Sequence, residues 1–119
     1  MVLLIEDDVL VGMDLSEALE EAGYRVIGPL TRISDVRSAL EEARPAAAVV
    51  DVRLKDGSCA VLASELRERR IPYLVHTGCQ RGDPLAAAFL DVPWLAKPAA
   101  VRDVLAVLHD LARGSRVSS

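Results

Sequence analysis

Three adjacent acids at Glu6-Asp7-Asp8, an acid closing an apolar run at Asp51, the hydroxyl of Thr77 and the amine of Lys97 are the side chains with chemistry to offer. Carboxylates gathered in one place raise one another's pKa unless a cation neutralises them. Their oxygens suit a hard divalent ion that retains waters, and Mg2+ fits best. A carboxylate kept ionised beside such an ion can act as a nucleophile. A hydroxyl and an ammonium group can hold the oxygens of an incoming phosphoryl group. Such a transfer needs mainly positioning and charge neutralisation. Taken singly, each residue says little. Acids cap helices and occupy turns, as expected of Asp8 and Asp56, and Thr-Gly or Lys-Pro pairs are common. The weight of the set depends on where the elements place it.

Those elements alternate between short apolar runs and longer periodic ones. Residues 2–6 read as a strand. Residues 10–22 read as a helix with Val11, Leu15, Ala18, Leu19 and Ala22 on one face, Asp8 as N-cap and Gly23 as stop. A strand over 24–29 precedes a helix over 34–44, capped by Ser34, burying Val36, Ala39, Leu40 and Ala43, and ended by Pro45. Residues 46–52, apolar up to Asp51, read as a central strand covered on both faces. After the Asp56-Gly57 turn come a helix over 59–70 and a strand over 72–77. A loop over 78–84 leads to a short helix over 85–90, a strand over 93–96 and a helix over 100–112 striped by Val101, Val104, Leu105, Leu108 and Leu111. Residues 113–119 read as a short polar, frayed tail.

A strand followed by a helix, five times over, predicts an α/β fold. The expected form is a (βα)5 doubly wound, flavodoxin-like parallel sheet of order 2-1-3-4-5 with right-handed crossovers. In such sheets ligands bind outside the carboxyl ends of the strands, where the strand order reverses. Strand one ends in Glu6-Asp7-Asp8, strand three near Asp51, strand four in Thr77-Gly78 and strand five at Lys97-Pro98. The separated polar residues are thus expected at one end of one sheet.

Composition agrees. The 119 residues suffice for one domain, and Ala, Val, Leu and Ile supply 53 of them, as buried parallel strands and their helices require. Four aromatic residues are too few for a binder that stacks single-stranded bases. A net charge of −4 lacks the positive field that nucleic acid needs. The longest uncharged run, ten residues over 71–80, is too short to span a bilayer. No leader peptide is apparent, and Cys59 and Cys79 show no disulfide spacing. A cytoplasmic protein with reduced thiols is expected.

The ordered set of an apolar run ending in Glu6-Asp7-Asp8, Val49-Val50-Asp51 with Gly57 six residues on, Thr77-Gly78 and Lys97-Pro98 resembles the receiver domain of two-component response regulators. The resemblance spans residues 2–112. It implies a receiver domain over residues 1–112, of the stand-alone chemotaxis-receiver type, followed by the tail. It implies that Asp51 accepts a phosphoryl group from the phosphohistidine of a histidine kinase or a histidine phosphotransfer protein. Mg2+ would be held by Asp7 directly, by Glu6 through water, by Asp51 and by the backbone carbonyl of Arg53. Asp8 is assigned as the helix cap, with a place among the metal ligands left open. Thr77 matches the switch hydroxyl, Lys97 the lysine that pairs with the phosphoryl group, and Trp94 the position of an aromatic that changes rotamer. Pro98 matches a proline often preceded by a cis peptide.

Such a chain would catalyse only its own phosphorylation and dephosphorylation and would not otherwise be an enzyme. It would act by offering a switched surface to a downstream protein, as a monomer or a phosphorylation-dependent homodimer. No nucleic-acid, membrane or DNA-binding output contact is expected. The sequence departs from the family where Lys55 replaces the usual proline, and where Arg53 and Cys79 flank the site. A second reading is the receiver segment of a larger regulator or hybrid kinase. A third is a flavodoxin-like module binding a nucleotide or flavin phosphate. It is disfavoured because the loop after strand one is acidic, with no glycine before Gly12. An aspartate phosphatase is disfavoured because Asp51-Val52-Arg53 lacks a second acid. His76 is expected on the strand face opposite Thr77 and His109 in solvent. The charges over residues 65–70 are read as a solvated helix face.

Overall fold

The computed structural model describes residues 1–51, 59–77, 92–96 and 100–117. Five strands, β1 (Val2–Ile5), β2 (Val26–Leu30), β3 (Ala47–Val50), β4 (Tyr73–Thr77) and β5 (Trp94–Ala96), form one parallel sheet of order β2-β1-β3-β4-β5. Four described helices accompany them: α1 (Val9–Glu21), α2 (Ile33–Glu42), α3 (Cys59–Glu68) and α4 (Val101–Val117). The expected doubly wound order is therefore present. The short helix expected over 85–90 and the turn at Asp56-Gly57 lie outside the described residues.

Side chains alternate across the sheet as strand geometry demands. Leu3, Ile5, Ala48, Val50, Tyr73 and Val75 join Val36 and Leu40 of α2 and Leu62 and Leu66 of α3 in one apolar core. Val2, Leu4, Ala47, Val49 and Leu74 join Leu15 and Leu19 of α1 and Val104 and Leu108 of α4 in the other. Both faces of β1 and β3 are buried, which explains why these strands are apolar without alternation.

Several boundaries depart from expectation. The inner face of α1 is Gly12, Leu15, Ser16 and Leu19, whereas Ala22 is exposed and Val11 only half-buried. The reason is steric. A Cβ on Gly12 would lie 2.6 Å from the Pro29 Cβ, so only a small residue lets α1 approach β2 this closely. The N-cap of α2 is Arg32, without a side-chain cap, rather than Ser34, because the helix begins early enough to bury Ile33. Strand β2 begins and ends later than expected, in register with Val2 through Ile5. Val101 is exposed, and α4 continues to Val117 where a tail was expected from residue 113. A helix can continue through polar residues on its backbone hydrogen bonds, without an apolar stripe. Gly23 closes α1 at φ +98, as its position in the sequence indicated.

Candidate functional site

The ladder carries Glu6 and Asp51 one residue past their strands. The Glu6 N–H donates to the Leu30 carbonyl at 2.9 Å, and the Asp51 N–H donates to the Ile5 carbonyl at 2.8 Å. These bonds seat two carboxylates side by side at the carboxyl edge of the sheet. Glu6 is 1% exposed and Asp51 is 2% exposed. One carboxylate oxygen from each of Glu6, Asp7 and Asp51 lies within 4.8 Å of the other two.

Three carboxylates this close, two of them buried, repel one another in a medium that screens poorly. The donor set is all oxygen and anionic, which fits a hard divalent cation and disfavours a soft one. The residues present therefore fit the ion that the sequence resemblance implies.

Asp8 does different work. Its side chain accepts from the Leu10 and Val11 N–H groups at 3.0 and 3.2 Å, capping α1 as expected. Its own N–H donates to Glu6 Oε2 at 3.1 Å, which pins the turn from β1 into α1. Of the three adjacent acids, Asp8 is the one outside the close carboxylate group.

Thr77 ends β4 and is fully buried. Its Oγ1 donates to Asp51 Oδ1 at 2.9 Å. Thr77 is paired with Ala96 of β5, and Lys97 is the next residue in the chain. Lys97, Pro98, Arg53 and Lys55 lie outside the described residues. Trp94 pairs with Val75 and packs, half-buried, on the core that contains Val75 and Tyr73. It therefore shares a sheet face with Thr77, two residues away along each strand. His76 points to the other face and is buried, and His109 is exposed.

Two features escaped sequence reasoning. Gly12 and Pro29 pack beneath Glu6, whose Cγ would lie 3.4 Å from a Cβ at residue 12. The described cis peptide is Gly28–Pro29. The Gly-Pro pair marked a strand end, but nothing in it signalled contact with the site. A second finding is the exposed apolar surface beside the acids. Val9 is 49%, Leu10 76% and Met13 58% exposed, all on the first turns of α1.

No protein-family profile matches the chain. Relatives and solved structures do. The chain is 34% identical over 114 residues to the phyllosphere-induced regulator PhyR of Methylorubrum extorquens, covering 90% of this chain and 41% of that protein. It is 29% identical to the non-phosphorylated HemR receiver domain of Leptospira biflexa, with a TM-score of 0.78 and 93% and 92% of the two chains covered. A Burkholderia pseudomallei response regulator, solved with a phosphorylated aspartic acid, a calcium ion and citrate, superposes with a TM-score of 0.79 at 24% identity, covering 98% of this chain and 71% of that one. The chain spans about half the length of the curated relatives it matches, from 41% to 61%.

Proposed function

We propose that this chain, which has the fold of response regulator receiver domains and relatives among response regulators, is a phosphorylation-controlled switch with Asp51 as its acceptor. The observation that carries the proposal is the placement of Asp51 within 4.8 Å of both Glu6 and Asp7 at the carboxyl edge of the sheet. Burying two carboxylates beside a third is costly unless their charge is neutralised.

In this reading an Asp51 carboxylate oxygen attacks the phosphorus of a phosphohistidine on a kinase or phosphotransfer protein. The new O–P bond forms as the donor's P–N bond breaks, and the imidazole leaves with the electron pair. Mg2+, held by Glu6, Asp7, Asp51 and the Arg53 carbonyl, would neutralise charge on the transferring group. Lys97 pairs with a phosphoryl oxygen. The Thr77 hydroxyl, which already donates to Asp51, transfers its hydrogen bond to the phosphoryl group. That movement empties space beside β5, where Trp94 packs on the same face, and so biases the surface around it. Asp8 remains a cap.

The similarity covers about half of the curated relatives, so their outputs are not carried over. The donor and the downstream partner are proteins, and the expected location is the cytoplasm. No described helix is long and apolar enough to cross a membrane.

The test is incubation with Mg2+ and a small-molecule phosphodonor such as acetyl phosphate, followed by intact-mass spectrometry. The wild-type chain is expected to gain one phosphoryl group and Asp51→Asn none. Absence of the adduct in wild type, or equal labelling of Asp51→Asn, overturns the reading.

A further inference from the structure

We propose that the pole of the molecule opposite Asp51 carries a binding site for a small organic phosphate, built by Arg44, Arg69 and Arg70. It stands apart from the chemistry at Asp51 and does not depend on it.

The connections entering β3 and β4 run side by side at the amino ends of their strands, joined by the Ala48 N–H donating to the Pro72 carbonyl at 3.0 Å. Between them lies a depression of about 460 Å3, lined by the three arginines and walled by Pro45, Ile71 and Pro72. The strand length puts it about 13 Å from the acidic edge. The chain as a whole carries a net charge of −4, yet three guanidinium groups meet here with one lining acid, Glu68.

Part of that positive charge is uncompensated. Arg69 pairs with Glu65, and Glu65 is already engaged by Arg37 at 3.3 Å, so two cations share one carboxylate. No described residue forms an ion pair with Arg44 or Arg70. Like charges gathered from two separate loops repel unless an anion joins them.

Arg70 supplies a second, independent observation. Its φ is +57, a left-handed conformation in which the Cβ is crowded. Its N–H donates to the Arg67 carbonyl at 3.0 Å and the Ile71 N–H to the Leu66 carbonyl at 3.0 Å, closing α3. Glycine performs that closure without crowding and is the usual residue there. An arginine kept in a strained position points to a use for its side chain.

The chemistry selects the ligand. Guanidinium forks match phosphate oxygens in a bidentate manner. Half-buried Pro72 and exposed Ala46 offer apolar surface to an organic moiety, and the volume lies in the range of small-molecule sites.

The full chain, in EDTA at constant ionic strength, would be titrated with adenosine 5′-monophosphate and separately with inorganic pyrophosphate. Binding would be followed by backbone NMR and thermal melting. Saturable shifts are expected at residues 44–46 and 68–72, tighter for the nucleotide. Arg44→Ala should weaken binding by about tenfold or more. Arg70→Gly should weaken it as much while melting no lower than wild type, which separates loss of the site from loss of the fold. Asp51→Asn should bind as wild type does. The assignment is overturned if neither probe gives saturable shifts, if both arginine variants bind like wild type, or if the shifts map to the Asp51 end. Equal affinity for pyrophosphate would overturn the organic part of the ligand.

Discussion

The hydroxyl of Thr77 is hydrogen-bonded to the carboxylate of Asp51 at 2.9 Å, a buried contact between residues on neighbouring strands. It joins the proposed acceptor to the proposed switch before any phosphoryl group arrives. Thr77→Ala should therefore destabilise the fold by about 1.5–3 kcal/mol, the range for hydrogen bonds to charged groups. Thr77→Ser should recover most of that. Urea unfolding of the three proteins checks it, and equal midpoints would show the bond to be worth nothing.

Removing one charge from the cluster should change two quantities in opposite directions. Asp51→Asn keeps an oxygen that can accept from Thr77 but relieves repulsion with Glu6 and Asp7. In EDTA its melting temperature should exceed that of wild type. Wild type should gain stability with Mg2+, about 2.7 kcal/mol when the ion is at a hundredfold excess over Kd, and lose it again on chelation. The variant should gain much less. Parallel melts with and without the ion separate the two effects.

Asp8 offers a control for charge alone. Its side chain caps α1 and stands outside the close carboxylate group. Asp8→Ala is expected to cost about 1 kcal/mol of stability, as lost caps do. The stabilisation by Mg2+ and the phosphoryl uptake at Asp51 should survive. Loss of the Mg2+ effect in this variant would place Asp8 among the ligands.

Gly12 tests the support beneath Glu6. A Cβ there would lie 2.6 Å from Pro29 and 3.4 Å from Glu6 Cγ, so Gly12→Ala forces α1 away from β2. Overpacking of this kind costs about 1–3 kcal/mol. The Mg2+ stabilisation should shrink as well, because the Glu6 side chain contacts residue 12 and accepts from the Asp8 N–H that leads into α1. Equilibrium unfolding in both conditions measures both parts.

Leu10 and Met13 are expected to serve a protein donor rather than the chemistry. They are exposed beside the acids and have little to do for the fold. The double variant Leu10→Ser, Met13→Ser should accept phosphoryl from acetyl phosphate at the wild-type rate. Transfer from a cognate phosphotransfer protein should slow by about tenfold, the loss of roughly 1.4 kcal/mol of binding. Equal slowing with both donors would place these residues in the chemistry instead.

The strand order and the gathering of Glu6, Asp7, Asp51 and Thr77 were legible because each sits at the carboxyl end of an apolar run. A parallel sheet brings all those ends to one edge. The cap at Asp8 was legible from residue type and position. What hydrophobicity could not show was the face of α1. Gly12 and Ser16 turn inward because they are small, and the apolar Ala22 turns outward. At Gly12 this depends on the closeness of Pro29, a tertiary fact with no local trace. The end of α4 differs from the expectation because a helix can continue through polar residues without an apolar stripe. The depression lined by Arg44 and Arg70 joins residues far apart in sequence, and the charged run around Arg70 read only as a solvated helix face.

Among the described residues the sheet divides the interior into two apolar compartments, one on each of its faces. Leu66 and Leu40 belong to one, Leu19 and Leu108 to the other. Substitutions in separate compartments share few partners, so their effects should combine with little epistasis. Each compartment can drift over evolutionary time without waiting for compensation in the other. The exceptions are the runs Val2-Leu3-Leu4-Ile5, Ala47-Ala48-Val49-Val50 and Tyr73-Leu74-Val75, which alternate between both and lead into Glu6, Asp51 and Thr77. Those short threads answer to two histories at once, which leaves them the least free to vary.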